Sequence, residues 1–290
     1  MRARKSFCRL ARFGLTTANA SQLAQFYEDA FGCRRVAAEH LSGADFEKLM
    51  KVEGQAERVT LLLGREAIEL VQFSNPGRPY PVNSSASDLI FQHFAIVVSD
   101  MTKAFQRLCA VEGWSSITQG GPQRLPQSSG GVTAFKFRDP EGHPLELLAF
   151  QAGNTPPKWR TERASDIFLG IDHSAICVAD TAISSAFYEN LSFEVLGHSL
   201  NRGAEQEKLD DVPEVRLDVI AIASTDPTPH IELLCYRSGL LRTPMMTKSN
   251  DIAATRLVLA LDSDSTPRHV LDPDAHHLII VPAVELRGPR

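Results

Sequence analysis

The chain has 290 residues, 43% of them hydrophobic and 22% charged, which is typical of a globular protein with a sizeable core. Its 30 Lys and Arg residues against 35 Asp and Glu residues give a net charge of -5, which excludes an electrostatic footprint for nucleic acid or an anionic membrane. No apolar run reaches the roughly 18 to 20 residues of a membrane helix, and the N-terminus lacks the apolar segment of a signal peptide. These features predict a cytoplasmic protein.

The five cysteines form no recognisable pattern. They are odd in number, scattered and without C-x-x-C spacing, which argues against a disulfide framework or a zinc site. The sequence therefore predicts buried thiols at Cys8, Cys33, Cys109, Cys177 and Cys235.

Four stretches of the chain share an order of predicted elements, namely a strand, a helix and further strands. The first is predicted as a strand at 7–17, a helix at 19–31, a polar stretch at 37–55, and strands at 58–63 and 67–73. The second has a strand at 90–98, a helix at 101–111 and a hairpin ending in a strand at 145–150. The third has a strand at 168–178, a helix at 183–190 and a strand at 229–236. The fourth is shortened to a strand at 256–261 and a hairpin at 271–282.

Internal offsets support a duplicated pair of units, the first similar to the third and the second to the fourth. The repeated landmarks are Phe26-Tyr27-Glu28 with Phe187-Tyr188-Glu189 (offset 161), Glu47-Lys48-Leu49 with Glu207-Lys208-Leu209 (offset 160), and Glu69 with Glu232 (offset 163). The turn at 139–143 recurs at 272–276 with an offset of 133. Three landmarks in register favour duplication over chance similarity.

A carboxylate interrupts the apolar last strand of three units. Glu69, Glu146 and Glu232 occupy equivalent places, and the fourth unit has Ile279 there. Burying an ionised carboxylate costs several kcal/mol unless a cation or hydrogen-bond donors meet it. These glutamates therefore either reach water or meet a metal or a base.

The first strands of two units carry a histidine. His93 and His173 each share a strand face with small apolar residues, whereas the first unit has Arg12 at the corresponding place and the fourth has no histidine on its first strand. Two units thus hold a complete pair, His93 with Glu146 and His173 with Glu232. Together the two pairs would offer two nitrogens and two oxygens to a divalent ion such as Zn, Ni, Co, Mn or Fe(II).

A strand bearing His, a helix with Phe-Tyr, and a D-P-(E/D)-G-H hairpin leading into L-E-L resemble the vicinal oxygen chelate superfamily of glyoxalases, bleomycin-resistance proteins and extradiol dioxygenases. The resemblance implies an α+β fold of four tandem βαβββ units, the last shortened, in paired curved sheets rich in antiparallel pairs. The first half would span 1–152, with units at 8–74 and 89–151. The second would span 167–290, with units at 168–237 and 252–283.

The resemblance also implies that metal ligands come from the first and last strands of two paired units. If the middle units pair, as in fused glyoxalase I proteins, the ligands are His93, Glu146, His173 and Glu232. If neighbours within a half pair, as in dioxygenase-like chains, the site holds Glu69, His93 and Glu146. The middle pairing is favoured because it uses both His-Glu pairs.

The expected activity is that of a metal-dependent lyase or isomerase acting on a small molecule, with Glu146 and Glu232 as candidate bases. The Gly-rich stretches at 120–131 and 199–206 are candidate lids, in which Arg124 and Arg202 could bind an anionic substrate. The alternatives are a ring-cleaving dioxygenase and a metal-free small-molecule-binding module. A chain with four units could complete its own site, so a monomer and a homodimer are both open.

Overall fold

The computed structural model describes residues 8–160, 166–224, 228–237, 245–261 and 266–283. The ends of the two expected halves, 1–7 and 284–290, lie outside the described residues. Within the described residues, no helix is long and apolar enough to cross a membrane.

The first two units follow the expected order of elements. Unit one contains β1 (Cys8–Thr16), α1 (Ala20–Phe31), β2 (Arg34–Leu41), α2 (Ala44–Met50), β3 (Ala56–Leu63) and β4 (Glu66–Phe73). Unit two contains β5 (Gln92–Val98), α3 (Met101–Cys109), two-residue strands β6 (Ser115–Ser116) and β7 (Gln123–Arg124), β8 (Val132–Arg138) and β9 (Pro144–Phe150). Short 3-10 turns lie at Gln127–Ser129 and Pro157–Trp159.

The second half repeats this order. Unit three contains β10 (Phe168–Cys177), α4 (Thr181–Glu189), β11 (Glu194–Arg202), α5 (Ala204–Asp210), β12 (Arg216–Ala223) and β13 (His230–Tyr236). Unit four contains β14 (Arg256–Leu261), β15 (Arg268–Leu271) and β16 (His277–Pro282). The α+β class and the four-unit order are confirmed, and the described part of unit four contains no helix.

Each sheet combines one unit from each half of the chain. Units two and three form a nine-stranded sheet in which β5 pairs antiparallel with β10 at the centre. Units one and four form a seven-stranded sheet in which β1 pairs antiparallel with β14 in the same way. The paired units therefore join edge to edge, so that their side chains meet on one face of a continuous sheet.

A shared hydrophobic core lies on one face of each sheet. It includes α1 side chains such as Tyr27 and Phe31 together with strand residues such as Phe13, Phe94 and Leu257. Because side chains alternate along a strand, the residues between these core positions point to the other face of each sheet. We call this the open face, and the candidate sites lie there.

Two predicted polar stretches contain regular elements instead. The stretch at 37–55 contains the end of β2 and all of α2, and the predicted loop at 199–206 contains the end of β11 and the start of α5. The loop prediction at 199–206 was wrong, and the elements within 37–55 were not predicted, for the same reason. Strands β2 and β11 lie at the edges of their sheets and are mostly exposed, so they lack the apolar alternation that marks a strand.

The cysteine prediction holds only in part. No disulfide joins cysteines within the described residues. Cys8, Cys33 and Cys177 are buried, but Cys109 is exposed at the end of α3. Cys109 follows Leu108, a buried position of α3, and therefore lies off the buried side of the helix, and Cys235 is only partly buried.

The repeated D-P turn is held by one buried aspartate in each copy. Asp139 accepts hydrogen bonds from the Tyr27 hydroxyl at 3.2 Å, from the His143 ring at 2.8 Å, and from the backbone N–H groups of Glu141 and His143. The copy at Asp272 accepts from the Tyr188 hydroxyl at 3.1 Å. The aspartate thus ties the hairpin of one unit to the helix of the unit with which it shares the core, which explains the recurrence of both motifs.

We expect Asp139→Asn to lower the free energy of unfolding by about 2 to 4 kcal/mol, because an amide cannot accept all four bonds and leaves buried donors unpaired. Urea unfolding followed by circular dichroism measures the change. Asp29→Asn is the matched control, since Asp29 is exposed and accepts only a surface hydrogen bond from Gln25. Equal stability of the two variants would contradict the role assigned to Asp139.

Candidate metal and active site

The pairing of β5 with β10 sets two rows of side chains across the open face of the nine-stranded sheet. In the first row, Glu146 of β9 lies opposite Ala95 of β5, which lies opposite His173 of β10. Directly opposed residues point to the same face. The methyl group of Ala95 therefore leaves room for the carboxylate and the imidazole to approach each other above it.

The second row contains the same three residue types in the reverse order across the sheet. His93 of β5 lies opposite Ala175 of β10, which lies opposite Glu232 of β13. Each row again has a ligating residue on either side of an alanine. The four residues of the expected middle site thus come together, whereas Glu69 of the alternative site belongs to the other sheet.

Three of the four side chains are in close contact. His93, Glu146 and His173 each offer an atom within 4.8 Å of the other two, and His93 Nε2 lies 2.7 Å from Glu146 Oε2. Glu232 Oε2 lies 3.5 Å from His173 Nε2 at the rim of the cluster. The side chain of Glu232 is 25% exposed, against 8% for Glu146, so solvent reaches the cluster from the side of Glu232.

The Nε2 atoms of the two histidines in this cluster lack hydrogen bonds among the described residues. His93 Nε2 and His173 Nε2 are buried and have no hydrogen-bond partner among the described residues. His93 Nε2 lies 2.7 Å from Glu146 Oε2, close enough for both atoms to contact one ion. Buried polar atoms are normally paired. Two imidazole nitrogens and a carboxylate that converge in this way could hold a common cation.

An aspartate next to His173 orients its ring. Asp172 Oδ2 lies 3.1 Å from His173 Nδ1, and Asp172 Oδ1 accepts a 2.8 Å hydrogen bond from Trp159 Nε1. The register of β10 against β5 shifts between Ile171 and His173, so a bulge brings two adjacent residues to the same side. Strict alternation along the strand would have placed Asp172 on the opposite face, which is why sequence reasoning missed it.

His230 extends the cluster along β13. It pairs in register with His173, its ring centroid lies 5.2 Å from that of His173, and its Nε2 lies 3.7 Å from Glu232 Oε1. Asp172, His173 and His230 also form a second group with atoms within 4.8 Å of one another. The spacing of His230 two residues before Glu232 puts both on one strand face, so the sequence did contain this signal.

A buried lysine balances part of the negative charge. Lys136 pairs in register with Glu146 across the β8–β9 hairpin, and its Nζ lies 2.6 Å from Asp210 Oδ1 at the end of α5. Both side chains of this ion pair are at most 4% exposed. The turn at 139–142 fixes the hairpin register, so Lys136 could have been found from the sequence. Asp210 could not, because it comes from a distant helix.

The carboxylates of the cluster are held ionised. Burial alone would raise the pKa of Glu146, but His93 and the Lys136 ammonium outweigh it and keep the pKa below its ordinary value. In Glu232, burial is likewise outweighed, here by His173 and His230, and the pKa falls to about 2. Both side chains therefore carry a negative charge at neutral pH.

The two histidines differ in their ionisation. Burial lowers the pKa of His93, although Glu146 opposes the effect. For His173, burial would also lower the pKa, but Glu232 and Asp172 outweigh it and raise the pKa to about 9. Without a metal, the proton on His173 supplies the positive charge that the surrounding carboxylates require.

The residues present fit a divalent cation. Glu146, Glu232, Asp172 and Asp210 place four carboxylates in or next to the cluster, against the single ammonium of Lys136. With neutral imidazoles this leaves three excess negative charges, which a divalent ion would reduce to one. Imidazole and carboxylate donors suit ions of intermediate hardness, and the contact from Asp172 to His173 Nδ1 leaves Nε2 available as a ligand.

The two candidate substrate arginines lie elsewhere. Arg124 pairs with Thr133 of β8, which points to the face of the sheet opposite Glu146. Arg124 Nη2 donates to Gln151 Oε1 at 3.3 Å. Arg202 is exposed and pairs with Arg216, five residues along β11 from the row of Glu232. By strand alternation both point to the face opposite the cluster, so the structure does not bring them to the site.

The fold and the His-Glu cluster define a class of protein with paired βαβββ units and a ligand site on an open sheet face. Residues 9–147 match the family model described as Glyoxalase/Bleomycin resistance protein/Dioxygenase superfamily. This match covers 139 of the 290 residues and lies within the first two units. No curated protein sequence matches the chain.

Two solved structures are similar to the whole chain in fold. Glyoxalase I from Zea mays has a TM-score of 0.62 and 15% identity, with 97% of this chain and 96% of that chain covered. A putative dioxygenase from Bacillus subtilis has a TM-score of 0.59 and 12% identity, with 97% of this chain and 86% of that chain covered. At these identities the similarity concerns the fold.

We expect Asp210→Asn to lower the free energy of unfolding by about 3 to 5 kcal/mol, because it leaves the Lys136 ammonium buried without its ion-pair partner. The double variant Lys136→Met with Asp210→Leu should lose less, since it removes the ammonium together with its ion-pair partner. Urea unfolding of the three proteins measures this difference.

Asp211→Asn is the matched control for this comparison. Asp211 is the exposed neighbour of Asp210 and has a positive φ of 53°, a conformation that asparagine tolerates well. Its variant should remain within about 0.5 kcal/mol of the parent. A double variant less stable than Asp210→Asn alone would contradict the interpretation of Lys136 as a charge in need of a partner.

Proposed function

We propose that the chain is a divalent-metal-dependent lyase or isomerase of the glyoxalase type, with His93, Glu146, His173 and Glu232 as the metal ligands. The observation that supports this most directly is the pair of buried imidazole nitrogens that face ionised carboxylates without hydrogen bonds. A bound divalent ion would act as a Lewis acid and polarise a carbonyl oxygen of the substrate. The substrate class is a small molecule with vicinal oxygen atoms.

Glu232 is the better candidate for the base that moves a proton. Its side chain is 25% exposed at the rim, whereas Glu146 is enclosed between His93 and Lys136. The carboxylate of Glu232 would accept the proton from the carbon next to the carbonyl, while the electrons of the C–H bond move towards the carbonyl oxygen. Return of the proton to the neighbouring carbon, or to the other face of the same carbon, completes an isomerisation or an epimerisation.

The surrounding residues keep this carboxylate in place. His230 Nε2 lies 3.7 Å from Glu232 Oε1, and Asp172 contacts both His173 and His230. Asp172 therefore orients the ring of His173 through a hydrogen bond and lies 3.8 Å from Nδ1 of His230. Such support from groups around a ligand set restricts the ligands to one geometry.

A ring-cleaving dioxygenase is the second candidate, and one observation favours it. The three donors that lie closest together, His93, Glu146 and His173, are two imidazoles and one carboxylate. This is the ligand type of the facial triad in non-haem Fe(II) oxygenases. In that case Glu232 would remain outside the ligand set. Catechol-dependent oxygen uptake by the Fe(II)-loaded protein would favour this candidate over the isomerase.

We expect the purified protein to contain a single divalent metal ion per chain, and His173→Ala to lose it. Elemental analysis by mass spectrometry after extensive dialysis measures the content. His40→Ala is the matched control, because His40 is an exposed histidine on the edge strand of the other sheet. Metal retained in His173→Ala at the level of the His40→Ala protein would refute the proposed ligand set.

A further prediction concerns the aspartate behind His173. Asp172→Asn should weaken metal binding about 10- to 100-fold, because the orienting carboxylate of the histidine is lost while all four ligands remain. Competition with a chromophoric chelator measures the affinity. Trp159→Phe removes the indole N–H that bonds Asp172 but leaves the carboxylate beside His173, so its effect should be smaller. An Asp172→Asn affinity equal to that of the parent would refute the orienting role.

Proton transfer can be tested separately from metal binding. Metal-loaded protein in D2O should exchange a carbon-bound hydrogen of an α-hydroxycarbonyl probe such as dihydroxyacetone for deuterium, as followed by NMR. Glu232→Gln should slow this exchange about 100-fold or more, the usual contribution of a positioned acid or base. The metal content of the variant is measured in parallel. Normal exchange by a metal-loaded Glu232→Gln protein would reject Glu232 as the base.

A further inference from the structure

The open face of the seven-stranded sheet forms a second cleft, which α2 covers. A cavity of about 890 Å³ lies between the strands and the helix. Six cationic and two acidic side chains line it, so four positive charges are in excess, although the whole chain carries a net charge of -5. The cationic residues are Arg12, Lys48, Lys51, Arg58, Arg256 and Arg268.

The strand register relates this cleft to the metal cluster residue by residue. In its first row, Glu69 of β4 lies opposite Gly14 of β1, which lies opposite Arg256 of β14. The corresponding row of the other sheet has glutamate, alanine and histidine. Arg256 thus takes the place of the histidine on the first strand of the partner unit.

The second row changes in the same direction. Arg12 of β1 lies opposite Val258 of β14, which lies opposite Ile279 of β16. In the metal cluster these places hold histidine, alanine and glutamate. The second cleft therefore has two arginines where the His-Glu cluster has two histidines, and one glutamate where that cluster has two. These replacements reverse the charge of the site.

Arg256 is buried and incompletely paired. It is 2% exposed, and its Nη1 donates to Thr16 Oγ1 at 2.7 Å and to the carbonyl oxygen of Ser249 at 2.9 Å. Its Nη2 is also buried and has no hydrogen-bond partner among the described residues. A guanidinium donor at the wall of a cavity, with its other nitrogen fixed by neutral oxygens, is available to a ligand.

The single glutamate of the cleft does not satisfy Arg256. Glu69 Oε1 lies 2.6 Å from Arg12 Nη1 and 3.3 Å from Arg58 Nη1, so two guanidinium groups already share one of its oxygens. Arg58 is further engaged by Glu39 at the rim. Burial lowers the pKa of Arg256 to about 10 in spite of Glu69, which still leaves it charged at neutral pH.

The positive charges of the cleft also affect the neighbouring His269. Burial, Lys51 and Arg256 together lower the pKa of His269 to about 4, so this side chain is neutral. The remaining walls of the cavity are apolar and include Phe46, Val71 and Val281. The cleft therefore combines a charged floor with space for a hydrocarbon portion.

We propose that this second cleft binds a small organic anion, whose carboxylate or phosphate group is held by Arg256 and Arg12 and whose apolar part packs beneath α2. The guanidinium fork matches both anionic groups in geometry. Inorganic anions alone would leave the apolar walls uncovered. The site is independent of the metal cluster, since its residues belong to the other sheet.

The test uses three probes with the same eight-carbon chain, namely octanoate, octyl phosphate and 1-octanol, in calorimetric titrations of the full-length protein. We expect at least one anionic probe to bind about 10-fold or more tightly than octanol, because only it can pair with the arginines. The two anionic probes show which head group the cleft prefers. Equal binding of octanol, or absence of binding by both anions, would overturn the proposal.

Variants locate the bound anion. Arg256→Met and Arg12→Gln should each weaken binding of the preferred anion about 10-fold or more, and the second tests the site even if the first fails to fold, because Arg12 is 23% exposed. Arg35→Gln is the matched control on the same sheet, where Arg35 pairs with Glu28 outside the cavity. Binding to Arg12→Gln that equals binding to Arg35→Gln would overturn the assignment.

Discussion

The edge-to-edge pairing of two first strands is the constraint on which both clefts depend. In the nine-stranded sheet, β5 and β10 run antiparallel, so the histidine of each strand lies opposite an alanine of the other strand. Ala95 and Ala175 occupy these middle places, and Gly14 occupies one of them in the other sheet. A larger side chain there would fill the space in which the flanking groups meet. The paired register thus creates a pocket without any loop.

Charge balance explains why the His-Glu cluster involves more than four residues. Ionised carboxylates are costly to bury unless cations accompany them, and here Lys136 lies directly across the hairpin from Glu146. Lys136 in turn requires Asp210, which α5 supplies from above the sheet. The helix is therefore part of the electrostatic arrangement as well as a cover. Asp172 does the same for His173 from within its own strand, which makes the bulge in β10 a functional feature.

The sequence allowed the fold and the convergence of His93, Glu146, His173 and Glu232 to be predicted because both leave local patterns. The histidines, glutamates and D-P turns recur at constant offsets, and apolar alternation marks the buried strands. The edge strands β2 and β11 leave no such pattern, since both of their faces are largely exposed. Asp172 was missed because a bulge breaks strand alternation, and Asp210 because a long-range contact brings it to Lys136. Arg124 and Arg202 were misassigned because a residue's place in a loop does not reveal its side-chain direction.

The two sheets show how one duplicated framework can present opposite charges. Both place a first-strand residue of one unit beside the last-strand residue of another, so the two clefts differ only in which side chains occupy these places. Arginine in place of His93, at position 256, arginine in place of His173, at position 12, and isoleucine in place of Glu146, at position 279, give the second cleft its positive charge. The retained Glu69 then contacts two arginines, whereas its counterpart Glu232 faces His173 and His230. Arg256 is left as the buried charge without a counterion, and this imbalance is the physical reason for assigning an anionic ligand to the second cleft.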